Sequence, residues 1–328
     1  MFERITYRAK EFGILFVLIV LIVVFSLLSP NFLAVNNLLN IVGQVATYGI
    51  AAVGFTFVLI TGGIDLSLGY QISLNVVVCG ILMSQFGLPW PLAILAVLAL
   101  GTAVGVINGL IITLTGVAPL IVTLSMMTIL DGASYLLTGG LPIFGFPTGF
   151  TALGQGSIGG IPWALVVLVI AWAVGLFVLN KTYFGRYLYA IGNNSEAARL
   201  SGINTKRTLI YVYAIAGLFT AIGAVLLLSR INSAQSSTGA GTEFVVLTAC
   251  VLGGVSVMGG RGSLFGAFVG VLIIGVLENG LVLLNVSSYI QLVVKGLVLL
   301  VAVSYDSASK NSKGRTKQIG GISLRKAV

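Results

Sequence analysis

Ten predominantly apolar stretches follow one another between residues 12 and 305, and they leave this chain few folds to choose from. They run over 12–29, 38–60, 68–86, 90–114, 118–138, 161–180, 209–229, 244–258, 264–284 and 288–305. A helix needs about 20 such residues to cross the hydrocarbon core of a bilayer. In that core every backbone polar group must be satisfied within the protein, and a helix does so by itself. Charge content agrees: 8% of residues are Asp, Glu, Lys or Arg, against about 25% in soluble domains. The expected fold is an all-α polytopic membrane protein of about ten transmembrane helices. Residues 12–306 are expected to form a single domain, because no segment outside the runs is large enough for a second one. The eighth run is short, so a tilted, broken or re-entrant segment is expected there.

The first run follows MFERITYRAK and is longer than the apolar region of a signal peptide, with no Ala-x-Ala site after it. It is expected to be a retained span behind a cytoplasmic N-terminus, 1–11. Orientation follows from the basic residues. With the N-terminus inside and ten spans, 15 of the 17 Lys and Arg residues fall on the cytoplasmic side. They lie before the first run, in the 181–208 loop, at Arg261 and in the tail 307–328. The opposite orientation would put those 15 outside, which the positive-inside rule disfavours. The same distribution makes nucleic acid a poor explanation for the net charge of +9. The polar, basic tail is expected to be disordered.

Several kinds of chemistry have no residues to carry them. The chain has no histidine, and its two cysteines, Cys79 and Cys250, sit inside apolar runs, so no metal site is expected. It has no G-x-x-x-x-G-K-[ST], so no nucleotide cradle and no catalytic residues are expected. No cofactor of this chain's own is expected. The glycines of 259–266 read as a tight cytoplasmic turn. Gly101, Gly105 and Gly109, and likewise Gly266 and Gly270, recur every four residues and mark helix-contact faces. The outer loop 139–160 carries no charge and is expected to pack over the extracellular mouth.

One polar stretch interrupts this pattern, NNSEAARLSGINTK from Asn193 to Lys206. Asn193 with Glu196 three residues on suggests a capped helix start. Glu196 suits the positive end of a helix, Arg199 lies toward the other end, and Gly202 suits the left-handed position past the terminus. The expected helix has about two turns, too few to be stable alone in water. Ala197, Leu200 and Ser201 form a small apolar face on it. Either it docks on a cytoplasmic partner, or it rests on its own protein.

Charges inside the runs are costly and are usually paired or functional. Glu278 and Lys295 fall at similar depth on either side of the last outer turn. An ion pair joining that hairpin is expected, with substrate contact as the alternative. Asp131 has no evident basic partner, so it is expected to face a polar cavity on the substrate pathway. Asp65 has the same candidate role, although capping the start of the third span explains it more simply. Arg230 and Glu243 bracket an outer loop and are candidates for docking an external protein.

The segment FGRYLYAIGNNSEAARLSGI, Phe184 to Ile203, resembles the cytoplasmic coupling loop of sugar ABC-importer permeases of the ribose type. ITGGIDLSLG (60–69), ACVLGGVSVMGGRGSLFG (249–266) and LVLLNVSSYIQLVVKG (281–296) resemble further signatures of that family. Together they cover nearly the whole chain. ENG at 278–280 stands where ribose permeases tend to carry Asn-Asn-Gly. The resemblance implies an ABC-importer permease fold and an assembly. Its parts are a second permease subunit, identical or paralogous, an ATP-hydrolysing subunit and an extracytoplasmic sugar-binding protein. It also implies that Gly192, Asn193, Glu196, Ala197, Ala198, Arg199, Leu200, Ser201 and Gly202 couple the permease to the ATPase. The location implied is the bacterial cytoplasmic membrane, with both termini inside. Two rivals stay open: an ABC permease for a nucleoside, signalling sugar or branched-chain amino acid, and an ion-coupled transporter using Asp131 and Glu278.

Overall fold

The computed structural model describes residues 2–322, with side chains at 13–304 and 306. Its apolar helices follow the ten runs. They are α1 (Phe2–Leu28), α2 (Val35–Ile60), α3 (Leu68–Ser84), α4 (Trp90–Thr115) and α5 (Pro119–Thr138) in the first half. The second half has α7 (Trp163–Lys181), α10 (Thr205–Ile231), α11 (Thr242–Leu252), α12 (Leu264–Leu283) and α13 (Ser288–Ile322). Among the described residues, six of them, α2, α4, α5, α7, α10 and α12, are long and apolar enough to cross a membrane. The four others are apolar over shorter lengths. Three short helices join them: α6 (Thr148–Gln155), α8 (Tyr183–Asn193) and α9 (Ser195–Leu200).

The helix α2 is the axis of the bundle. Every residue from Val45 to Ile60 is buried, as expected of a helix that is apolar all round. It packs against α7, α10, α11 and α12. The Trp172 indole of α7 donates to the Gly49 carbonyl of α2 at 3.1 Å. The α4–α10 contact is closer still. A Cβ on Gly105 would overlap the Tyr213 carbonyl oxygen, so only glycine lets these two backbones touch. Gly266 and Gly270 of α12 lie against α11 in the same way. Between α4 and α5 the chain turns in three residues, with Gly116 at φ 72° ending one helix and Pro119 opening the next.

The eighth run is short and broken as expected, the 139–160 loop is built more fully than its composition suggested, and the C-terminal tail departs from expectation; each has a local cause. The eighth run forms a helix only from Thr242 to Leu252, about 16 Å long and half the depth of a bilayer core. Gly253 and Gly254 end it, the latter at φ 84°, and an irregular turn continues to residue 263. The 139–160 loop is ordered: β1 (Ile143–Phe144) pairs with β4 (Ser233–Ala234), and β2 (Ser157–Ile158) pairs with β3 (Ile161–Pro162). The α6 helix in that loop is fastened to α10 by the Ser229 hydroxyl, which donates to the Phe150 carbonyl at 2.7 Å. Finally, α13 continues to Ile322, so the tail expected to be disordered is helical that far. No proline interrupts residues 288–322, and Lys, Arg and Gln are good helix formers. Residues 323–328 of the expected tail lie outside the described residues.

Candidate functional site: a welded polar helix pair and a cavity at the opposite end

The polar stretch 181–208 forms two helices at one end of the bundle. The first, α8, has Gly185, Leu188 and Ile191 three residues apart on its buried face. This spacing was legible in FGRYLYAIG and marks an amphipathic helix that the polar stretch alone did not suggest. At its end a Cβ on Gly192 would overlap the Ile60 carbonyl oxygen and press on the Gly260 nitrogen. The same Ile60 carbonyl accepts from the Gly260 N–H at 2.8 Å. The Tyr189 hydroxyl donates to the Gly262 carbonyl at 2.8 Å. Residues 60–62, 189–193 and 259–262, far apart in sequence, therefore meet in one tight junction.

The second helix, α9, is capped differently from the expectation. Asn193 belongs to α8, and its Nδ2 donates to the Tyr189 carbonyl at 2.8 Å. The cap is Asn194, in extended conformation, whose Oδ1 accepts from the Ala197 N–H at 2.9 Å. Glu196 does not reach back to the cap. It pairs with Arg199, which donates through Nε at 3.0 Å and Nη2 at 2.6 Å. The Arg199 hydrogen bonds, and then its charge, hold the Glu196 carboxyl below its ordinary value, and Glu196 raises Arg199 in turn. Past the helix, Gly202 adopts φ 86°, and Ile203 N–H returns to the Ala198 carbonyl at 3.1 Å. Ala198 is the residue turned inward, whereas Ala197, Leu200 and Ser201 are exposed, Leu200 at 75%. The apolar face therefore does not rest on its own protein.

At the opposite end of the bundle, α2, α10, α11, α12 and α13 enclose a cavity of about 410 Å³. Glu278 and Lys295, expected to lie close, form an ion pair on its wall between α12 and α13. The second carboxylate oxygen of Glu278 accepts from Gln44 Nε2 of α2 at 2.9 Å. Arg230, expected on a rim, sits in the last turn of α10 and lines this same cavity, half-buried. Tyr48, one turn beyond Gln44, also lines it, and its hydroxyl is buried with no hydrogen-bond partner among the described residues. Gln44 and Tyr48 were missed in the sequence. Their i, i+4 spacing within an apolar run was the available signal.

Glu243 is no rim residue either. It is 1% exposed in the first turn of α11, with its carboxylate against Gly69. The loop before it folds inward: β4 pairs with β1, and the Gly239 N–H donates to Ser73 Oγ of α3 at 2.9 Å. That path carries Glu243 into the protein. Asp65 is also buried, and its Oδ1 accepts from Ser67 N at 3.0 Å and Ser67 Oγ at 2.5 Å. It braces the turn before α3 without bonding an α3 amide, and Asn108 Nδ2 donates to the same Ser67 hydroxyl at 3.0 Å. Asp131 is half-buried on α5 and does not line the cavity. The two aspartates and the cavity are thus separate places in the fold.

Residues 37–303 match the family model described as "Branched-chain amino acid transport system / permease component". The chain is 45% identical over 308 residues to the ribose import permease protein of Bacillus subtilis strain 168, covering 93% of this chain and 94% of that one. It is 41% identical over 297 residues to the ribose import permease protein of Escherichia coli K12, covering 89% and 92%. To the galactose/methyl galactoside import permease protein of the same strain it is 38% identical over 320 residues, covering 91% and 94%. No solved structure matches the chain.

Proposed function

The chain belongs to the family of branched-chain amino acid transport system permease components, and from that premise we propose that it is the membrane subunit of an ATP-driven importer for a monosaccharide. Ribose is the proposed cargo. The observation that carries this reading is near-full-length similarity to ribose import permeases at 41–45% identity, above the 37–38% to galactose permeases. The chain itself does no covalent chemistry. ATP and Mg bind to a partner ATPase, a soluble sugar-binding protein delivers the cargo, and a second permease subunit completes the pathway.

In this reading the basic 181–208 end faces the cytoplasm of a bacterial cell, as do both termini, and Arg230 and Lys295 lie in the outer half. The physical support for coupling is the division of labour between α8 and α9. One is fixed to the bundle through Leu188, Ile191 and Gly192. The other presents Ala197, Leu200 and Ser201 outward. A displaced ATPase would push on the exposed face, and the junction with residues 60–62 and 259–262 would pass the displacement to α2 and to the turn between α11 and α12.

The test is reconstitution of the permease with its ATPase and binding protein in liposomes. Labelled D-ribose should accumulate only with ATP and the loaded binding protein, and Leu200→Asp should abolish uptake while the permease remains in the membrane. Accumulation driven by an ion gradient without the ATPase would overturn the proposal. Uptake of galactose in place of ribose would correct the cargo and keep the mechanism.

A further inference from the structure

We propose that the cavity between α2, α10, α11, α12 and α13 is a contact site for the hydroxyl groups of the sugar in transit, with Arg230 and Tyr48 as its recognition residues. The inference rests on the importer reading and adds where the cargo touches the permease. Its basis is an imbalance of hydrogen bonds. Buried polar groups are normally satisfied. Here the Tyr48 hydroxyl, on a side chain 6% exposed, has no partner among the described residues, nor has the neighbouring Thr47 hydroxyl at 5%. Arg230, with five donors and no acceptor capacity, makes no side-chain hydrogen bond or salt bridge among the described residues and lines the same space. A cavity of about 410 Å³ falls in the size range of small-molecule sites, roughly 300–1,000 Å³.

The ligand class follows from the mixture of groups. A sugar hydroxyl both donates and accepts. The walls offer donors at Arg230 and Lys295, an acceptor at Glu278, and hydroxyls at Tyr48 and Thr47 that do either. A carboxylate would only accept, and both a carboxylate and a phosphate would meet the Glu278 charge. A cation would meet Arg230. The Glu278–Lys295 pair, braced by Gln44 at 2.9 Å, leaves Arg230 as the unpaired donor beside the Tyr48 and Thr47 hydroxyls. The site is also deep. Tyr48 lies thirteen residues along α2 from Val35, about 20 Å at helical rise, whereas Arg230 is in the last turn of α10. Cargo would meet Arg230 near the helix ends and Tyr48 toward mid-bundle.

The experiment measures D-ribose moved per ATP hydrolysed in liposomes holding permease, ATPase and binding protein. Tyr48→Phe removes one oxygen from a side chain that otherwise packs unchanged, and Arg230→Gln removes the charge. Each is expected to lower ribose moved per ATP about three- to tenfold, the range of one lost hydrogen bond, with Arg230→Lys recovering part of the loss. A wild-type ratio in both variants overturns the proposal. So does an equal fall in transport and in ATP hydrolysis, which would make the residues merely structural. As a direct probe, Thr242→Cys, half-buried on the cavity wall, should react with a small polar thiol reagent and be protected by millimolar D-ribose but not by inorganic phosphate. Protection by phosphate, or by neither, overturns it. If the wild-type complex moves no sugar, the importer reading fails first. If it moves ribose and the variants are normal, only the cavity assignment fails.

Discussion

The Tyr189 hydroxyl donates to the Gly262 carbonyl across 2.8 Å, fastening α8 to the turn that precedes α12. This bond joins the polar helix pair to the part of the bundle that holds the half-length helix α11. Tyr189→Phe removes it and keeps the ring. A hydrogen bond of this kind contributes about 0.5–1.5 kcal/mol net. Uptake per ATP is therefore expected to fall severalfold with little change in the amount of folded permease. Unchanged coupling in the reconstituted system would show that the stroke travels by another route.

The Glu278–Lys295 pair makes a second expectation. Removing one member of a buried pair strands the other charge, at a cost of about 3–5 kcal/mol. Lys295 is more exposed than Glu278, 27% against 8%, so the lower end of that range applies. Lys295→Met should reduce the yield and thermal stability of detergent-solubilised permease. The double variant Glu278→Gln/Lys295→Met should recover much of both. A double variant no better than the single one, in a thermal-shift measurement, would remove the pair from the account of stability.

At Gly105 the prediction is steric. A Cβ there meets the Tyr213 backbone, which has no rotamer with which to retreat. Gly105→Val should destabilise the α4–α10 contact by about 3 kcal/mol, the upper end of ordinary overpacking, and is expected to abolish membrane accumulation. Gly132 on α5 has nothing within 4 Å of its Cβ position. Gly132→Ala should be neutral or mildly stabilising by the helix-propensity difference, about 1 kcal/mol at most. Comparing folded yields of the two variants separates close packing from a general dislike of glycine replacement.

Acid should loosen α9. Arg199 holds the Glu196 carboxyl below its ordinary value. The pair's support for α9 is therefore complete above the ordinary glutamate value of about 4.3, and it fades as the pH falls through the lower folded value. Amide-exchange protection over residues 195–203, corrected for intrinsic rates, should be flat from pH 7 to 5 and decline below about 4. The pair is exposed and screened, so the effect is small and weaker in salt. Arg199→Gln should remove the decline. Persistence of the decline would assign it to another group.

Much of the fold was legible because a bilayer enforces it: each run long enough to span became a helix, with bounds mostly within a few residues. The basic stretch 181–208 announced itself by contrast with its surroundings. What stayed hidden depends on tertiary placement. Asn193 and Asn194 are adjacent and chemically identical, and which one caps is decided by how far α8 runs before Gly192 meets Ile60. Glu243 reads as a rim charge until the pairing of β4 with β1 draws its loop inward. Arg230 and Tyr48 share a cavity only because α2 and α10 lie side by side, a relation no local pattern records. The Glu278–Lys295 pair, by contrast, was readable because a single short turn brings the two ends of one hairpin together.

The brevity of α11 has a consequence for biogenesis. Eleven residues are too few to stop a nascent chain at the translocon as a stretch of about 20 does. We expect α11 to enter the lipid as one insertion unit with α12, with Gly266 and Gly270 of α12 already against its backbone. The sidedness of everything from Thr242 onward would then be decided only after Leu283 has left the ribosome, and a chain arrested near residue 260 would leave its last residues on the wrong side.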